Sequence, residues 1–344
     1  MKALLKSQKK PGLWMEEVPC PPIEQQSVLI KVHKASICGT DLHIWNWDKW
    51  AQNTIPVPLI IGHEFMGEIV EVGKLVKELN IGARVSGEGH ITCGLCQNCQ
   101  SGKKHHCVRP LGIGVHVAGC FAEYISLPAS NVFPLPDQIS DNLGAIFDPL
   151  GNATHTALSF DIVGEDVLIT GAGPIGMMSA AIAKHAGARH VVITDINDYR
   201  LKLALELGAT TAINVKKESL KHKTKELGIE FGYTVGMEMS GNAEALSSLL
   251  ELMQHGGKVA LLGILPPHTP IDWNLVIFKM LLIKGIYGRE ILSTWYKMSH
   301  LLESGLKLDP LITHHFSFED YQKAFEMAIS GRSGKILLDF GLQK

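Results

Sequence analysis

The segment that most constrains the fold of this chain is a glycine-rich turn, Gly-Ala-Gly-Pro-Ile-Gly, at residues 171–176. It follows an apolar run that predicts a strand at 166–170 and opens an alanine-rich run that predicts a helix to about Ala186. In such a unit Gly171 would make the tight turn, Gly173 would admit a pyrophosphate, and Gly176 would let the helix pack on the strand. The amide groups at the helix start would then bind the phosphates.

Asp195 supports a nucleotide site. It follows the next predicted strand, 191–194, and lies 19 residues after Gly176. A carboxylate at that place would accept hydrogen bonds from the adenosine ribose hydroxyls and repel a 2′-phosphate. A plain turn followed by a capping aspartate is the alternative. The spacing favours a site that takes NAD rather than NADP.

The first 150 residues and the following part of the chain differ in pattern, and 344 residues suffice for about two domains. Short β-rich runs broken by prolines and glycines predict a compact β-rich domain first. These runs cover 28–33, 67–72 and 121–127.

After Asp148 strands alternate with helices, which predicts an α/β domain with a doubly wound parallel sheet. Further strands are predicted at 235–239, 258–262 and 281–287, with a helix at 198–207. A last helix at 318–329, capped by Ser317 and Asp320, and a strand at 335–340 could belong to either domain.

Composition excludes several classes of function. Lys plus Arg total 32 against 34 for Asp plus Glu, and no basic block occurs, so nucleic acid is not an expected partner. No apolar stretch is long enough for a membrane span, and the start turns polar too soon for a signal peptide. We therefore expect a cytoplasmic protein without a membrane partner.

Seven cysteines are present, and four of them have the spacing C-x2-C-x2-C-x7-C. Four thiolates in one short lobe suit a closed, structural zinc site. An iron–sulfur run usually has a last interval of x3 followed by proline, and unligated surface thiols are a further alternative. The predicted ligands are Cys93, Cys96, Cys99 and Cys107; Cys20 and Cys120 are expected to be ordinary residues.

A second metal site is scattered along the chain. Cys38 lies in Cys-Gly-Thr-Asp-Leu-His, and His63 and Glu64 lie in Gly-His-Glu. Thiolate, imidazole and carboxylate are all zinc ligands, and a catalytic zinc keeps one position open. Taken alone, His63 and Glu64 would more often be a hydrogen-bonded histidine and a surface acid.

The larger pattern, Gly62-His63-Glu64-x2-Gly67-x5-Gly73-x2-Val76, resembles the zinc signature of the medium-chain alcohol dehydrogenases. The order of the parts is also similar, and the resemblance covers essentially the whole chain. Within that superfamily, four stretches are similar to the members that act on L-threonine. They lie at 38–43, 87–93, 147–153 and 284–290.

The resemblance implies a GroES-like catalytic domain at 1–150 with a structural zinc lobe at about 87–108. It implies a Rossmann domain at 151–292 and a segment at 293–344 that returns to the catalytic domain. NAD would lie in the cleft between the domains. Each subunit would hold one catalytic and one structural zinc, and four subunits would form a cytosolic tetramer.

The resemblance also implies roles for individual residues. Thr40 and His43 would relay the alcohol proton, and Asp148 would ligate the catalytic zinc or act beside it, the second role being favoured. A turn hydroxyl, a surface histidine and a loop aspartate before proline are the ordinary alternatives. The implied NAD contacts are Ile175, Asp195, Arg200, Leu262, Gly263, Ile264, Ile286 and Tyr287.

The expected reaction is oxidation of L-threonine by NAD to L-2-amino-3-oxobutanoate, with the hydroxyl polarised by zinc. Arg289 and His90 are candidates for the substrate carboxylate, although a surface arginine and a lobe histidine would be equally ordinary. One rival is the same chemistry on another secondary alcohol or a polyol, such as sorbitol or butanediol. Another is an inactive NAD-binding protein or redox sensor, which the three intact zinc ligands disfavour.

Overall fold

A computed structural model describes residues 1–341 as two compact units. The first comprises 1–148, 290–299 and the chain from Ile312 onward, and the second comprises 149–289 and 300–311. The predicted 293–344 segment is therefore divided between the units, and its last three residues lie outside the described part. Residues 300–311 join the second unit because they pack on its helices, where His185 Nε2 lies 2.9 Å from Ser304 Oγ.

The first unit is built mainly of strands, because its many prolines and glycines limit helix length. Its strands are β1 (Lys2–Lys6), β2 (Trp14–Glu17), β3 (Ser27–Ser36), β4 (Leu59–Ile60), β5 (Glu64–Val72), β6 (Arg84–Gly87), β7 (His90–Ile91), β8 (Leu111–Gly112), β9 (Tyr124–Pro128) and β10 (Val132–Pro134). Its helices in this part are α1 (Gly39–Asn46), α2 (Lys49–Thr54), α3 (Gln97–Gln100) and α4 (Asp141–Gly144). β3, β5 and β9 lie where the sequence predicts strands.

Helix α5 (Phe147–Ala157), which the sequence did not predict, leads into the second unit. That unit contains the strands β11 (Asp166–Thr170), β12 (His190–Asp195), β13 (Thr211–Asn214), β14 (Tyr233–Glu238), β15 (Met253–Leu261) and β16 (Leu282–Gly285). Between them lie α6 (Pro174–His185), α7 (Asp198–Glu206), α8 (Leu220–Glu226), α9 (Ala243–Leu252) and α10 (Trp273–Phe278).

The six strands of the second unit form one parallel sheet in the order β13-β12-β11-β14-β15-β16. This is the doubly wound order that the sequence predicts. β12 and β13 lie on one side of β11, whereas β14, β15 and β16 lie on the other. The strand order therefore reverses between β11 and β14, and ligands of such sheets bind beyond the carboxyl ends of the strands at this switch point.

The end of the chain returns to the first unit, which answers the question that the sequence left open. The returning part contains β17 (Ile312–Ser317), α12 (Tyr321–Ile329) and β18 (Lys335–Asp339), and α11 (Ser293–Glu303) is divided between the units after residue 299. β18 pairs antiparallel with β3, and Phe325 of α12 stacks on Trp45 with ring centroids 4.8 Å apart. The predicted helix at 318–329 begins as a 3-10 turn that Ser317 caps, and α12 follows Asp320. Within residues 1–341, no helix has the length and apolar character needed to cross a membrane.

Candidate active site

Three side chains from distant parts of the sequence meet at one end of the β3–β5 pair. Cys38 follows β3 and is the N-cap of α1, whereas His63 and Glu64 lie at the start of β5. β3 and β5 are antiparallel with Ser36 opposite Glu64, so the pairing register brings Cys38 beside these two residues. The potential ligand atoms of Cys38, His63 and Glu64 all lie within 4.8 Å of one another. The structure thus assembles the second predicted metal site.

The hydrogen bonding of this cluster fits a metal ion. His63 Nδ1 and Glu64 Oε1 are buried and have no hydrogen-bond partner within the described chain. A buried polar atom without a partner is costly, above all on an ionised group. Thiolate, imidazole and carboxylate form a zinc donor set, and three protein ligands leave a fourth position open. The arrangement therefore fits a catalytic zinc ion.

The charges around the cluster also favour a cation. Burial raises the pKa of Asp41 to about 6, and Asp41 Oδ2 accepts a 2.8 Å hydrogen bond from the Cys38 amide. Burial alone would lower the pKa of His63, but Cys38, Asp41 and Asp148 together raise it well above its usual value. The cluster therefore lies in a strongly negative environment. Sequence reasoning missed Asp41, although it stands in the same short stretch as Cys38.

Lys335 is the second residue at this site that sequence reasoning missed. It lies on β18, is 2% exposed, and forms a buried ion pair with Glu64 Oε2. Its ammonium also donates to the Ile37 carbonyl at 2.8 Å. Lys335 thus holds one carboxylate oxygen of Glu64 and leaves Oε1 available to a metal.

Thr40 and His43, the two residues predicted to relay the proton, lie three residues apart on α1. Thr40 Oγ1 is 3.8 Å from Cys38 Sγ, next to the ligand cluster. The His43 side chain is 60% exposed, and its Nδ1 is 2.5 Å from Asp48 Oδ2. The Asp48 carboxylate caps α2 by accepting a hydrogen bond from the Ala51 amide. Burial raises the pKa of Asp48, but the bond from Ala51 and the neighbouring His43 outweigh this effect and hold the pKa below its usual range. A hydroxyl beside the ligands and an imidazole at the surface could together carry a proton outward.

Asp148 is 7% exposed and lies in the first turn of α5, not in a loop. Its charge contributes to the raised pKa of His63, so it lies within electrostatic reach of the ligands. It does not belong to the group of side chains whose ligand atoms all lie within 4.8 Å of one another.

The four-cysteine lobe has the geometry of a closed zinc site. The sulfur atoms of Cys93, Cys96, Cys99 and Cys107 all lie within 4.8 Å of one another. The Cys96–Cys99 and Cys93–Cys107 pairs are 3.5 Å apart, near the roughly 3.8 Å expected for thiolates bound to one tetrahedral zinc. Amide groups of residues 95 and 96 lower the pKa of Cys93 to about 6, which favours the thiolate that zinc binds.

The glycine-rich turn has the backbone that the sequence predicts. Gly171 follows β11 with φ at 95°, and Gly173 is the N-cap of α6. A Cβ atom on Gly176 would lie 2.0 Å from the Gly171 carbonyl oxygen, so only glycine allows this close approach of helix and strand. The turn therefore presents the start of α6 at the switch point of the sheet.

Asp195 lies at the end of β12 and is tied to this turn. Its Oδ2 accepts from the Ala172 amide at 2.7 Å, and its Oδ1 accepts from the Ile196 and Asn197 amides at 2.7 and 2.9 Å. These bonds fix the carboxylate, and Oδ2, which accepts one of them, keeps a lone pair for a further donor such as a ribose hydroxyl.

The remaining predicted cofactor residues lie at the carboxyl edge of the same sheet or on neighbouring helices. Ile175 is on α6, and Arg200 is on α7 with a buried Nε that has no partner within residues 1–341. The other residues, Leu262, Gly263, Ile264, Ile286 and Tyr287, directly follow β15 and β16. Ile264 and Tyr287 are exposed, at 92% and 71%.

The two candidates for substrate binding lie in different units. His90 begins β7 in the first unit, with Nδ1 3.4 Å from Glu88 Oε1. Arg289 is the last residue of the 149–289 segment of the second unit. It is 2% exposed and donates to Asn152 Oδ1 at 2.8 Å. A substrate role for either residue stays a prediction.

The chain is similar to known zinc-binding dehydrogenases. The profile of the Alcohol dehydrogenase GroES-like domain family matches residues 24–137, and that of the Zinc-binding dehydrogenase family matches residues 174–304. An L-threonine 3-dehydrogenase from Protochlamydia amoebophila is 63% identical over 341 residues, covering 99% of this chain and 100% of that protein.

Solved structures give the same fold. A chain described as a short chain alcohol dehydrogenase from Escherichia coli, in complex with NADH, has a TM-score of 0.91 at 30% identity and covers 99% of both chains. A 2R,3R-butanediol dehydrogenase from Bacillus subtilis has a TM-score of 0.88 at 27% identity, covering 98% of this chain and 99% of that one. The GroES-like and Rossmann folds expected from the sequence are thus confirmed.

Proposed function

The chain belongs to the L-threonine 3-dehydrogenase family of zinc-containing alcohol dehydrogenases, and from this premise we propose that it oxidises L-threonine with NAD⁺. The products are L-2-amino-3-oxobutanoate and NADH. The observation that carries the proposal is the cluster of Cys38, His63 and Glu64, whose buried His63 Nδ1 and Glu64 Oε1 have no hydrogen-bond partner among residues 1–341. NAD and zinc are the cofactors of the family, and the two clusters support two zinc ions per subunit.

The polyol alternative is less favoured, because the butanediol enzyme is 27% identical whereas the threonine enzyme is 63% identical. A panel of secondary alcohols separates the two. We expect the highest kcat/KM with L-threonine, and lower values with sorbitol and 2,3-butanediol. A higher kcat/KM with either polyol would overturn the assignment of the substrate.

When bound, zinc at Cys38, His63 and Glu64 supplies a Lewis acid toward the substrate hydroxyl, and NAD⁺ supplies the hydride acceptor. The chain's own residues prepare this chemistry. Lys335 fixes Glu64 through a buried ion pair, and Asp41 fixes the start of α1 through the Cys38 amide. These contacts orient Glu64 and the start of α1 before substrate binds.

Loss of the hydroxyl proton is assigned to Thr40 and His43. Thr40 lies beside the cluster, and His43 reaches solvent and is oriented by Asp48. A positioned hydroxyl and an exposed imidazole can pass a proton from a closed site to water. Asp148 is proposed to act near the ligands without binding zinc, because it is not in the ligand cluster but influences His63.

Asp195→Ser is expected to weaken NAD binding by about 10- to 100-fold. It should also reduce the preference of the protein for NAD over NADP. The substitution removes the acceptor proposed for the ribose and the charge that repels a 2′-phosphate. It also releases the Ala172 amide of the glycine turn. Titration of both cofactors measures the effect, with Asp198→Ser, an exposed acid paired with Lys217, as the control. Equal use of NAD and NADP by the unmutated protein would contradict this interpretation.

Arg289 and His90 are each proposed as a candidate for binding the substrate carboxylate. The Asn152 bond holds the Arg289 guanidinium in one orientation, and a guanidinium matches a carboxylate in shape and charge. This assignment rests on the stretches at 87–93 and 284–290 that resemble the threonine enzymes.

A homotetramer is proposed from the edge of the parallel sheet. β16 pairs only with β15 among the described strands, and apolar side chains around it are exposed. They are Trp273, Ile277, Phe278, Met280 and Leu282. An unpaired edge beside an apolar patch favours association with another copy. Light scattering should give the mass of four subunits, and a monomer at micromolar concentration would overturn this proposal.

A cytoplasmic location is proposed from the chemistry of the cysteines. Both clusters need reduced thiolates to bind zinc, and a reducing compartment keeps them reduced. Cell fractionation tests this directly.

A further inference from the structure

Glu238, at the carboxyl end of β14, has no role in the sites described above. It is completely buried, and no lysine, arginine or histidine forms an ion pair with it among residues 1–341. β14 neighbours β11 at the point where the strand order reverses, so Glu238 ends its strand at the place where a dinucleotide binds such a sheet. A buried acid without a cation at this position needs an explanation.

The donors around the Glu238 carboxylate come from the loop after β14 and from the end of β11. Its Oε1 accepts from the Ser240 amide at 2.8 Å, the Ser240 hydroxyl, the Gly241 amide at 3.0 Å and Thr170 Oγ1 at 3.4 Å. Thr170 immediately precedes the glycine-rich turn. All these groups donate, which is the pattern of an acceptor-only carboxylate. One side chain thus connects the loop after β14 with the end of β11.

The backbone carbonyl of Glu238 binds the loop that follows β15. Its carbonyl oxygen accepts from the Leu262 and Gly263 amides, each at 3.0 Å. A Cβ atom on Gly263 would lie 2.2 Å from Glu238 Oε2 and 2.4 Å from the Gly241 nitrogen. Residue 263 therefore has to be glycine, because a side chain there would collide with the Glu238 carboxylate and the Gly241 backbone.

We infer that Glu238 is a positioning residue for NAD. It holds the end of β11 and the loops at 239–242 and 262–264 in the conformation that binds the cofactor. The inference rests on the proposed NAD site. Glu238 acts through Ser240, Gly241 and Gly263 and touches no reacting atom. Its partners lie in the two loops and at the end of β11, all at the edge where NAD is proposed to bind, so we expect its loss to affect cofactor binding more than folding.

Glu238→Gln tests this in the full-length, zinc-loaded protein, with NAD⁺ and NADH titrated calorimetrically without threonine. The amide nitrogen would face N–H donors, so we expect affinity for both cofactors to fall about 10-fold or more, with zinc content unchanged. The matched control is Asp166→Asn. Asp166 is a buried acid at the opposite, amino edge of the same sheet, bound by Arg189 at 2.8 Å and His190 at 2.9 Å. That variant should lose stability but keep NAD affinity within twofold.

Ser240→Ala keeps the buried acid and removes one donor, so it provides the test if Glu238→Gln does not fold. We expect a severalfold loss of NAD affinity at an unchanged melting temperature. The inference is overturned if NAD affinity is unaltered in the folded Glu238→Gln or Ser240→Ala protein, or if Asp166→Asn loses as much affinity as Glu238→Gln. Failure of the unmutated protein to bind NAD would instead contradict the proposed function.

Discussion

Cys38→Ser is expected to abolish threonine-dependent NADH production while leaving the melting temperature within a few degrees of that of the unmutated protein. Cys38 belongs to the cluster proposed to hold the catalytic zinc. Cys93→Ser should have the opposite profile, because Cys93 belongs to the cluster proposed to hold a structural zinc, which would stabilise the fold. A fall in melting temperature of about 10 °C or more, or loss of assembly, is expected for Cys93→Ser.

Cys20→Ser is the matched control, since Cys20 is exposed and lies outside both clusters. It should change neither activity nor melting temperature. Calorimetry, steady-state assays and zinc analysis give the three readouts. Equal destabilisation by Cys38→Ser and Cys93→Ser would contradict the division into an open and a closed site. So would a fully active, fully loaded sample with one zinc per subunit.

His43→Ala is expected to lower kcat by about 10²- to 10⁴-fold while NAD affinity and zinc content stay near normal. His43 is outside the ligand cluster, so its loss removes a proton acceptor and not a ligand. Stopped-flow turnover and NAD titration on the same preparation measure both quantities.

Two further variants sharpen this test. Asp48→Asn can still cap α2 through the Ala51 amide but removes the charge beside His43 Nδ1, so its loss of turnover should be smaller. His222→Ala removes an exposed histidine that is also paired with an acid, Glu226, and should have no effect. A defect of His43→Ala in NAD affinity alone would indicate contact with the cofactor pyrophosphate, and unchanged turnover would exclude the relay.

The features that sequence predicts best are those whose residues are close along the chain. The four lobe cysteines lie within 15 residues, so their spacing determines their geometry. The glycine turn and β11, which matches the predicted strand at 166–170, depend on local backbone preferences.

The catalytic cluster could be predicted only through resemblance, because its assembly depends on the register between β3 and β5. Nothing in the local sequence around Cys38 determines that register. Helix α5 was missed for a different reason. Pro149 suggests a loop, but proline is tolerated in the first turn of a helix, where its missing N–H would have had no partner.

Lys335 and Glu238 could not have been found from sequence. A lysine near the end of a chain is ordinarily an exposed residue, and Lys335 is buried because β18 returns to β3 and places it beside Glu64, 271 residues away. The same holds for Glu238, since its partners come from two loops and the end of β11, which meet only when the parallel sheet forms. Burial of charged groups is decided by such long-range pairing.

The most direct test of zinc-dependent threonine oxidation is steady-state NADH production from L-threonine before metal removal, after treatment with a mild chelator, and after zinc is restored. The open site should lose its metal first, so NADH production should stop after chelation while the protein stays folded. It should return in proportion to the zinc added back. Undiminished production by the metal-depleted protein, or no threonine-dependent NADH from the fully loaded protein, would contradict the account.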